Sequence, residues 1–330
     1  MGARRRSIRW PGAAPRIGIA LGGGAARGMA HLGVLRVLEE HGFAPDVVAG
    51  TSIGALFGGL WAVAGDAVEA TERVREFVGS DEYRRTRVEF LKEEGEDSGW
   101  AESFSNVLRK GLVLGWTYFR ESFISEEDFR HNVEVLLPDL RIEDLRLTFC
   151  AVATDLVSRR SVFFRRGALR EAVLASGAVP ALMPPQRIGH RLLVDGAVTE
   201  RVPVRALLPM DVDLILAVDV STEIFESPPL ESGAEIITRS KQVTEWHLRQ
   251  SRLAFCDLVI RPEVADVHWL DFSGALPAVE RGAQAMEAAL PALERLLLRR
   301  RWRVPWRIGA VEQGRRMEEA GLLGEPAEEI

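Results

Sequence analysis

Short apolar runs alternate with segments of helical periodicity in the first part of the chain. Residues 17–21 form an apolar run before three glycines, and 46–49 form a second short run, so both are predicted to be strands. Between them, the apolar residues of 29–40 recur at helical spacing, and Gly42 is predicted to stop this helix. Residues 53–63 are apolar on nearly every side, as in a buried helix. This order is typical of a parallel sheet covered by helices.

The rest of the chain continues the pattern. Strands are predicted at residues 147–153, 161–164, 191–194, 214–220 and 257–261. Helices are predicted at residues 66–80, 126–140, 168–175, 234–255 and 278–300, the last interrupted by Pro291. We therefore expect a single α/β domain at residues 16–300 that contains a helical insertion at 66–140.

Three further segments do not fit this domain pattern. Residues 103–125 mix aromatic residues with glycine at no regular period, and we expect them to cover a site. Residues 1–15 are predicted to be a basic arm, and residues 301–330 a C-terminal tail.

The composition is that of a globular protein with a core, since 47% of the 330 residues are hydrophobic and 27% are charged. No run of about 18 apolar residues predicts a membrane-spanning helix. The run at 17–21 is too short for a secretory signal, so the expected location is the cytoplasm. The two cysteines match neither a disulfide framework nor a zinc site. We expect no metal and no cofactor.

The net charge of −6 is unevenly distributed along the chain. Residues 1–10 and 299–309 together carry nine arginines, which leaves a charge of about −15 on the body of the protein. Both basic ends also contain tryptophan, and arginine with tryptophan suits an anionic membrane surface. Peripheral membrane contact is therefore one interpretation of the ends, and a solvated arginine-rich tail is the other. No nucleic-acid partner is predicted.

The stretch VVAGTSIGALFGG at residues 47–59 contains the pattern G-x-S-x-G, formed by Gly50, Ser52 and Gly54. When a strand precedes this pattern and a helix follows it, the small flanking residues let the serine protrude on a sharp turn. Both conditions are predicted here. Ser52 is therefore a candidate nucleophile, and a simple tight turn is the alternative.

The glycine run GGGAARG at residues 22–28 also lies between a strand and a helix. Such a loop can bind an anion through its backbone N–H groups, so it could hold a nucleotide phosphate or the oxyanion of a reaction. A P-loop would need lysine and a hydroxyl residue where Met29 and Ala30 stand. The dinucleotide pattern G-x-G-x-x-G also fails in either register. The loop therefore favours an oxyanion hole.

A serine nucleophile needs a base. The order Ser, Asp, His would use His247 or His268, but neither lies in a recognisable loop at the end of a strand. Asp195, in contrast, ends the apolar run LLVD and is followed directly by Gly196. Reactive groups gather at the carboxyl ends of the strands of a parallel sheet, which makes Asp195 the better partner for Ser52.

These motifs, in this order, resemble the patatin-like phospholipase family. The resemblance extends over roughly residues 16–300 and includes AHLGVL after the glycine loop, VATDL at 152–156, FRRGALREAVLASGAVP at 164–180 and VDGAVTERVPV at 194–204. It implies a three-layer α/β/α sandwich with a mainly parallel central sheet. It also implies a lipid acyl hydrolase that acts on phospholipids or lysophospholipids through a Ser-Asp dyad and an acyl-serine intermediate.

By this resemblance, Ser52 is the nucleophile and Asp195 the base. The backbone of Gly23, Gly24 and Ala25 resembles the family's oxyanion hole, and Arg27-Gly28 its basic loop residue with the glycine that follows. Arg27 can bind a lipid phosphate or order the loop through a salt bridge, and we favour the second role.

Two departures from the family pattern bear on the site. Ala25 stands where glycine is usual, and Gly177 where a bulkier residue is common, which alters the shape of the substrate pocket. Two other functions stay open: a catalytically silent lipid-binding or regulatory protein, and a Ser-His-Asp esterase of small soluble esters.

Overall fold

A computed structural model describes residues 14–84, 122, 124–221, 232–301 and 325–326. Nearly all of the predicted basic arm, the predicted cover at 103–125 and the C-terminal tail lie outside the described residues. In the described ranges, no helix is long and apolar enough to cross a membrane.

Among the described residues, a mainly parallel sheet of nine strands forms the centre of the fold. Its strands are β1 (Ile17–Leu21), β2 (Val47–Thr51), β3 (Thr148–Asp155), β4 (Arg160–Phe164), β5 (Gln186–Ile188), β6 (Arg191–Asp195), β7 (Leu214–Val218), β8 (Leu258–Ile260) and β9 (Glu325–Pro326). The order across the sheet is β5-β6-β3-β2-β1-β7-β8, and β4 and β9 extend it beside β3. The strands β3, β2, β1, β7 and β8 are parallel, whereas β4 and β6 run antiparallel to β3.

Helices connect these strands and cover the sheet. They are α1 (Ala30–Glu40), α2 (Ile53–Ala64), α3 (Ala67–Gly79), α4 (Asp81–Arg84), α5 (Glu126–Leu136), α6 (Leu169–Gly177), α7 (Ala197–Glu200), α8 (Val204–Leu207), α9 (Gly233–Leu253) and α10 (Pro277–Arg301). Short 3₁₀ helices span Ala25–Met29 and Ile142–Asp144.

Two apolar cores lie on opposite faces of the sheet. Alternate residues of each strand point to opposite faces, so Ile19 and Leu21 pack into one core while Ala20 packs into the other. The larger core contains residues of α1, α2, α3, α5, α6 and α10, and the smaller contains residues of α8 and α9. The fold is therefore the three-layer α/β/α sandwich that the resemblance implies.

The arrangement around β3 determines where the site forms. Along one edge, β3 pairs with β2 up to Thr51 opposite Val152, and directly beyond that point with β6, where Asp195 lies opposite Ala153. The other edge of β3 pairs with β4. Because β6 runs antiparallel to β3, the carboxyl ends of β2 and β6 face each other along one edge.

The strands and helices predicted from the sequence are present in the structure, but several begin or end at other residues. The second strand spans Val47–Thr51 rather than 46–49, and the third extends to Asp155. Helix α10 continues through Pro291, so the predicted interruption is wrong. The sequence pattern also missed the three-residue strand β5 and the one-turn helices α7 and α8, which are too short to show a period.

Candidate active site

Ser52 occupies the sharp turn between β2 and α2. Its backbone has φ 56° and ψ −124°, a left-handed conformation that is strained for a residue with a side chain. The turn brings backbone segments into close approach, because a methyl group on Gly50 would overlap the Gly54 carbonyl and one on Gly54 would overlap the Leu21 carbonyl. The two glycines of the G-x-S-x-G pattern therefore allow the close backbone contacts on which the sharp turn depends.

A second serine holds this turn in place. The N–H of Ser52 donates to Oγ of Ser176 at 2.9 Å, and that hydroxyl donates to the Val152 carbonyl at 2.6 Å. Ser176 is fully buried in α6. Sequence reasoning did not select it, although it lies within the ASGAVP stretch that resembles the family.

Asp195 lies at the end of β6 and is only 3% exposed. Burial raises the pKa of this carboxyl group to about 6. The Ser52 side chain, the Ala197 N–H and the charge of Arg201 each lower this pKa, but burial has the larger effect. Oδ1 accepts the Ala197 N–H at 2.7 Å. The structure thus brings the two predicted reactive side chains together, close enough for the Ser52 side chain to lower the pKa of Asp195.

The backbone on both sides of Asp195 is also fixed. Its N–H donates to the Ala178 carbonyl at 2.8 Å, and the N–H of Gly196 donates to the Ser176 carbonyl at 3.3 Å. Ser176 therefore contacts the backbone at Ser52 through its hydroxyl group and the backbone beside Asp195 through its carbonyl group. One residue of α6 therefore fixes the position of the Ser52 backbone relative to the Asp195 backbone.

The glycine loop lies directly against Ser52, since a carbon added to Gly23 would be 3.3 Å from the Ser52 Cβ. The Gly23 N–H is already paired outside the loop, because it donates to the Arg201 carbonyl at 2.8 Å. Gly24 and Ala25, in contrast, have no protein acceptor for their N–H groups among the described residues. Ala25 has φ 49°, the conformation that glycine usually supplies. Two of the three predicted oxyanion donors are therefore free.

A buried histidine, His31, contacts the first residue of the glycine loop. The Nε2 of His31 lies 2.8 Å from the Gly22 carbonyl oxygen. Burial lowers the pKa of His31 to about 4, although the Gly22 carbonyl and the charge of Asp219 oppose this shift. His31 is thus neutral near pH 7 and donates to Gly22 from Nε2. The two histidines considered as bases, His247 and His268, are both exposed, and the contacts that the structure gives them do not include Ser52 or Asp195.

Arg27 projects from the loop and is half-buried. Its Nε donates to the Val267 carbonyl at 2.9 Å, and no carboxylate of the described residues pairs with it. Burial lowers the pKa of Arg27, and the nearby charge of Arg201 lowers it further. Arg27 therefore orders the loop through a carbonyl rather than through the expected salt bridge. Gly28 lets the loop pack against the side chain of Ile53.

An apolar cavity opens beside Ser52, with an empty volume of about 940 Å³ that includes its mouth. Residues of α2, α3, α5 and α6 line it. Gly177 lines it, and a side chain there would meet the Phe129 ring at 3.3 Å. Within the described part of the chain, no group of three acidic, histidine or cysteine side chains is placed to hold a metal ion.

Known proteins are similar to this chain in sequence. An uncharacterised NTE family protein of Mycobacterium tuberculosis is 32% identical over 240 residues, which are 72% of this chain and 56% of that protein. Lysophospholipase nte1 of Emericella nidulans is 29% identical over 231 residues, 70% of this chain and 13% of that protein. The chain therefore spans about half or less of these relatives. The solved structure of VipD from Legionella pneumophila aligns with a TM-score of 0.38 and 14% identity, over 84% of this chain and 67% of VipD.

The family model for patatin-like phospholipases matches residues 19–208. This match includes the glycine loop, the Ser52 turn and the Asp195 strand, and it extends over more than half of the chain. The chain belongs to the patatin-like phospholipase family.

Proposed function

We propose that this protein is a lipid acyl hydrolase in which Ser52 is the nucleophile and Asp195 the general base. The observation that carries the proposal is a buried carboxylate with a pKa of about 6, placed beside a strained serine that faces an apolar cavity. A carboxylate with this pKa is a better base near neutral pH than an ordinary aspartate. We place the reaction within residues 16–300.

The proposed reaction has two steps. Asp195 takes the hydroxyl proton while Ser52 Oγ attacks the ester carbonyl, and the resulting oxyanion is held by the free N–H groups of Gly24 and Ala25. The bond to the leaving alcohol then breaks, and the alcohol takes the proton from Asp195. In the second step, Asp195 removes a proton from water, which attacks the acyl-serine carbonyl. The bond between the acyl carbon and Ser52 Oγ then breaks, Oγ takes the proton back from Asp195, and the fatty acid leaves.

Two features support a phospholipid or lysophospholipid as the substrate. The apolar cavity suits an acyl chain, because burying a chain there removes its methylene groups from water. The guanidinium groups of Arg27 and Arg201 lie close enough for one charge to lower the pKa of the other. An anionic phosphate headgroup would relieve this repulsion. The names of the family and of the fungal relative also point to phospholipids and lysophospholipids.

The other two functions have less support. A Ser-His-Asp esterase would need a histidine on Ser52, whereas His247 and His268 are exposed and His31 binds the Gly22 carbonyl. A silent lipid-binding protein would not need a buried aspartate with a raised pKa beside the serine, since burying a carboxylate destabilises the fold.

The test is the release of fatty acid from mixed micelles of phospholipid and lysophospholipid. We expect Ser52→Ala and Asp195→Asn each to lose activity by at least about a thousandfold while the fold stays intact. As matched controls, His247→Ala and His268→Ala should retain it. Loss of activity in either histidine variant would favour the Ser-His-Asp esterase, and the absence of any release by the unaltered protein would favour the silent lipid-binding protein.

A further inference from the structure

One hairpin turn extends beyond the sheet edge at which the site lies. Ser52 follows the carboxyl end of β2, and β3 runs parallel to β2, so both strands point toward this edge. Strand β3 passes Asp195 at Ala153, continues for two more residues and turns at residues 156–159 into β4. A strand rises by about 3.3 Å per residue, so this turn begins about 10 Å beyond the level of Asp195.

A second hairpin turn, at residues 189–190 between β5 and β6, lies beside the first. The Leu156 N–H donates to the Leu192 carbonyl at 2.9 Å. The Asp155 Oδ1 accepts the N–H of Val157 at 3.0 Å and the N–H of Leu192 at 3.2 Å. Because Asp155 is buried, one internal carboxylate connects the two turns and fixes them in one arrangement.

Residues 156–160 and 187–191, which we call the paired tips, combine exposed apolar side chains with positive charge. Leu156 is 50% exposed and Val157 is 60% exposed. The two segments contain no acidic residue in a chain whose net charge is −6, and their basic residues include Arg159, Arg160, Arg187 and Arg191. Apolar side chains that are exposed together and lie among arginines indicate a surface that binds a partner.

The chemistry of the paired tips selects the kind of partner. An anionic bilayer offers phosphate groups to the arginines and acyl chains to the apolar side chains. A nucleic acid would match the charge, but its phosphate backbone offers no apolar surface to Leu156 and Val157. The paired tips also lie at the same sheet edge as Ser52, so a bilayer bound there would lie on the side of the protein that holds the site.

We propose that the paired tips are a docking surface for anionic membranes. Leu156 and Val157 enter the boundary between headgroups and acyl chains, and the arginines contact the lipid phosphates. The proposal rests on the proposed function, because it names the lipid surface from which the same site takes its substrate. The paired tips take no part in the chemistry at Ser52.

The experiment measures binding of the full chain to vesicles by sedimentation, in the Ser52→Ala background so that no lipid is consumed. The vesicles are phosphatidylcholine alone or phosphatidylcholine mixed with phosphatidylserine. We expect tighter binding to the mixed vesicles, and each of two double variants should weaken it by about tenfold: Leu156→Ser with Val157→Ser, and Arg159→Gln with Arg160→Gln. The matched control is Val68→Ser on α3, where the valine is 59% exposed, and it should bind as before.

A variant that gains binding guards against loss of the fold. Tryptophan favours the headgroup region of a bilayer, so Val157→Trp should bind the mixed vesicles severalfold more tightly. A damaged fold would not produce this increase. Weaker or equal binding by Val157→Trp would contradict the proposed insertion of this turn.

Three other results would overturn the proposal. The Ser52→Ala protein does not bind the mixed vesicles, or both double variants bind them as tightly as it does, which would place membrane contact elsewhere on the chain. The arginine variant alone loses binding and the protein binds an oligonucleotide equally well, which would indicate a general polyanion site. The protein forms a dimer that the apolar variant abolishes, which would assign the paired tips to a second copy of the chain. Because binding is measured without hydrolysis, none of these results tests the Ser52 and Asp195 chemistry.

Discussion

The two sides of the cleft at Ser52 are built in different ways. On the reaction side, backbone packs against backbone at Gly50 and Gly54, and the Ser52 N–H, Ser176 hydroxyl and Asp195 carboxylate are hydrogen-bonded. On the cavity side, α3 and α5 contribute lining residues that are nearly all apolar.

This difference implies two kinds of response to mutation. Backbone contacts leave no room for an added atom, so changes on the reaction side should remove activity toward every substrate. Apolar side chains can repack around a change of similar volume, so changes among the apolar lining residues should alter which acyl chain is preferred. The predictions below test this contrast, from the largest expected effect to the smallest.

The largest effect is expected for Gly54→Ala. Its methyl group would overlap the Leu21 carbonyl, so we expect a loss of roughly 4 kcal/mol in the free energy of unfolding and no measurable hydrolysis. Gly79→Ala, at the end of α3 with open space around it, is the matched control and should keep activity and stability. Denaturant unfolding and fatty-acid release measure both. An active Gly54→Ala protein would show that the reaction side is less tightly built than the structure indicates.

The second prediction concerns pH. Asp195 acts as a base only when it is deprotonated, and its pKa is about 6, so kcat/KM should fall about tenfold per pH unit below 6 and stay level above it. The charge of Arg201 lowers this pKa, so Arg201→Gln should move the inflection to higher pH. A pH–rate profile on a neutral ester measures both. An inflection near pH 4 in the unaltered protein would contradict the assignment of Asp195.

The third prediction concerns Ser176, which is on the reaction side but is not among the residues that line the cavity. Ser176→Ala removes the acceptor of the Ser52 N–H, and leaving that group unpaired costs about 1–3 kcal/mol. We expect kcat to fall by about tenfold or more with little change in KM, for short and long acyl chains alike. Steady-state kinetics on both chain lengths would test this, and Ser176→Thr, which keeps the hydroxyl, should recover part of the rate. A loss confined to one chain length would assign Ser176 to the pocket instead.

The fourth prediction concerns the shape of the cavity. It uses Gly177→Ala, a change at the residue that follows Ser176 in the chain. The added methyl group points toward the Phe129 ring at 3.3 Å and narrows the cavity. We expect hydrolysis of long acyl chains to fall by a few-fold while short-chain esters react as before. Competition between long and short esters in one reaction gives the ratio directly. Equal losses for both lengths would mean that α6 affects the chemistry through this residue as well.

The smallest effect is expected for Ala25→Gly. Ala25 has φ 49°, and a non-glycine residue in this region costs about 1 kcal/mol relative to glycine. The variant should therefore gain up to about 1 kcal/mol in the free energy of unfolding and keep its activity, as measured by denaturant titration and fatty-acid release. A loss of stability would mean that the Ala25 methyl group makes contacts that outweigh the strain.

The sequence alone predicted the parts of the site that are local in the chain. Ser52 and its flanking glycines lie within one strand, turn and helix, so hydrophobic periodicity and residue type are enough to place the serine on a sharp turn. The same holds for the glycine loop between β1 and α1, and for the end of the apolar strand at Asp195. The resemblance supplied their roles, which stay predictions until the variants are measured.

Only the tertiary structure decided how these parts meet. The sequence argument placed Asp195 at the carboxyl end of a parallel strand, whereas β6 is antiparallel and reaches Ser52 by pairing with β3 beyond the end of β2. The Ser176 contact joins residues 124 positions apart. Periodicity reports which face of an element is buried, but strand direction, register and the burial of individual polar atoms depend on partners that are distant in the chain.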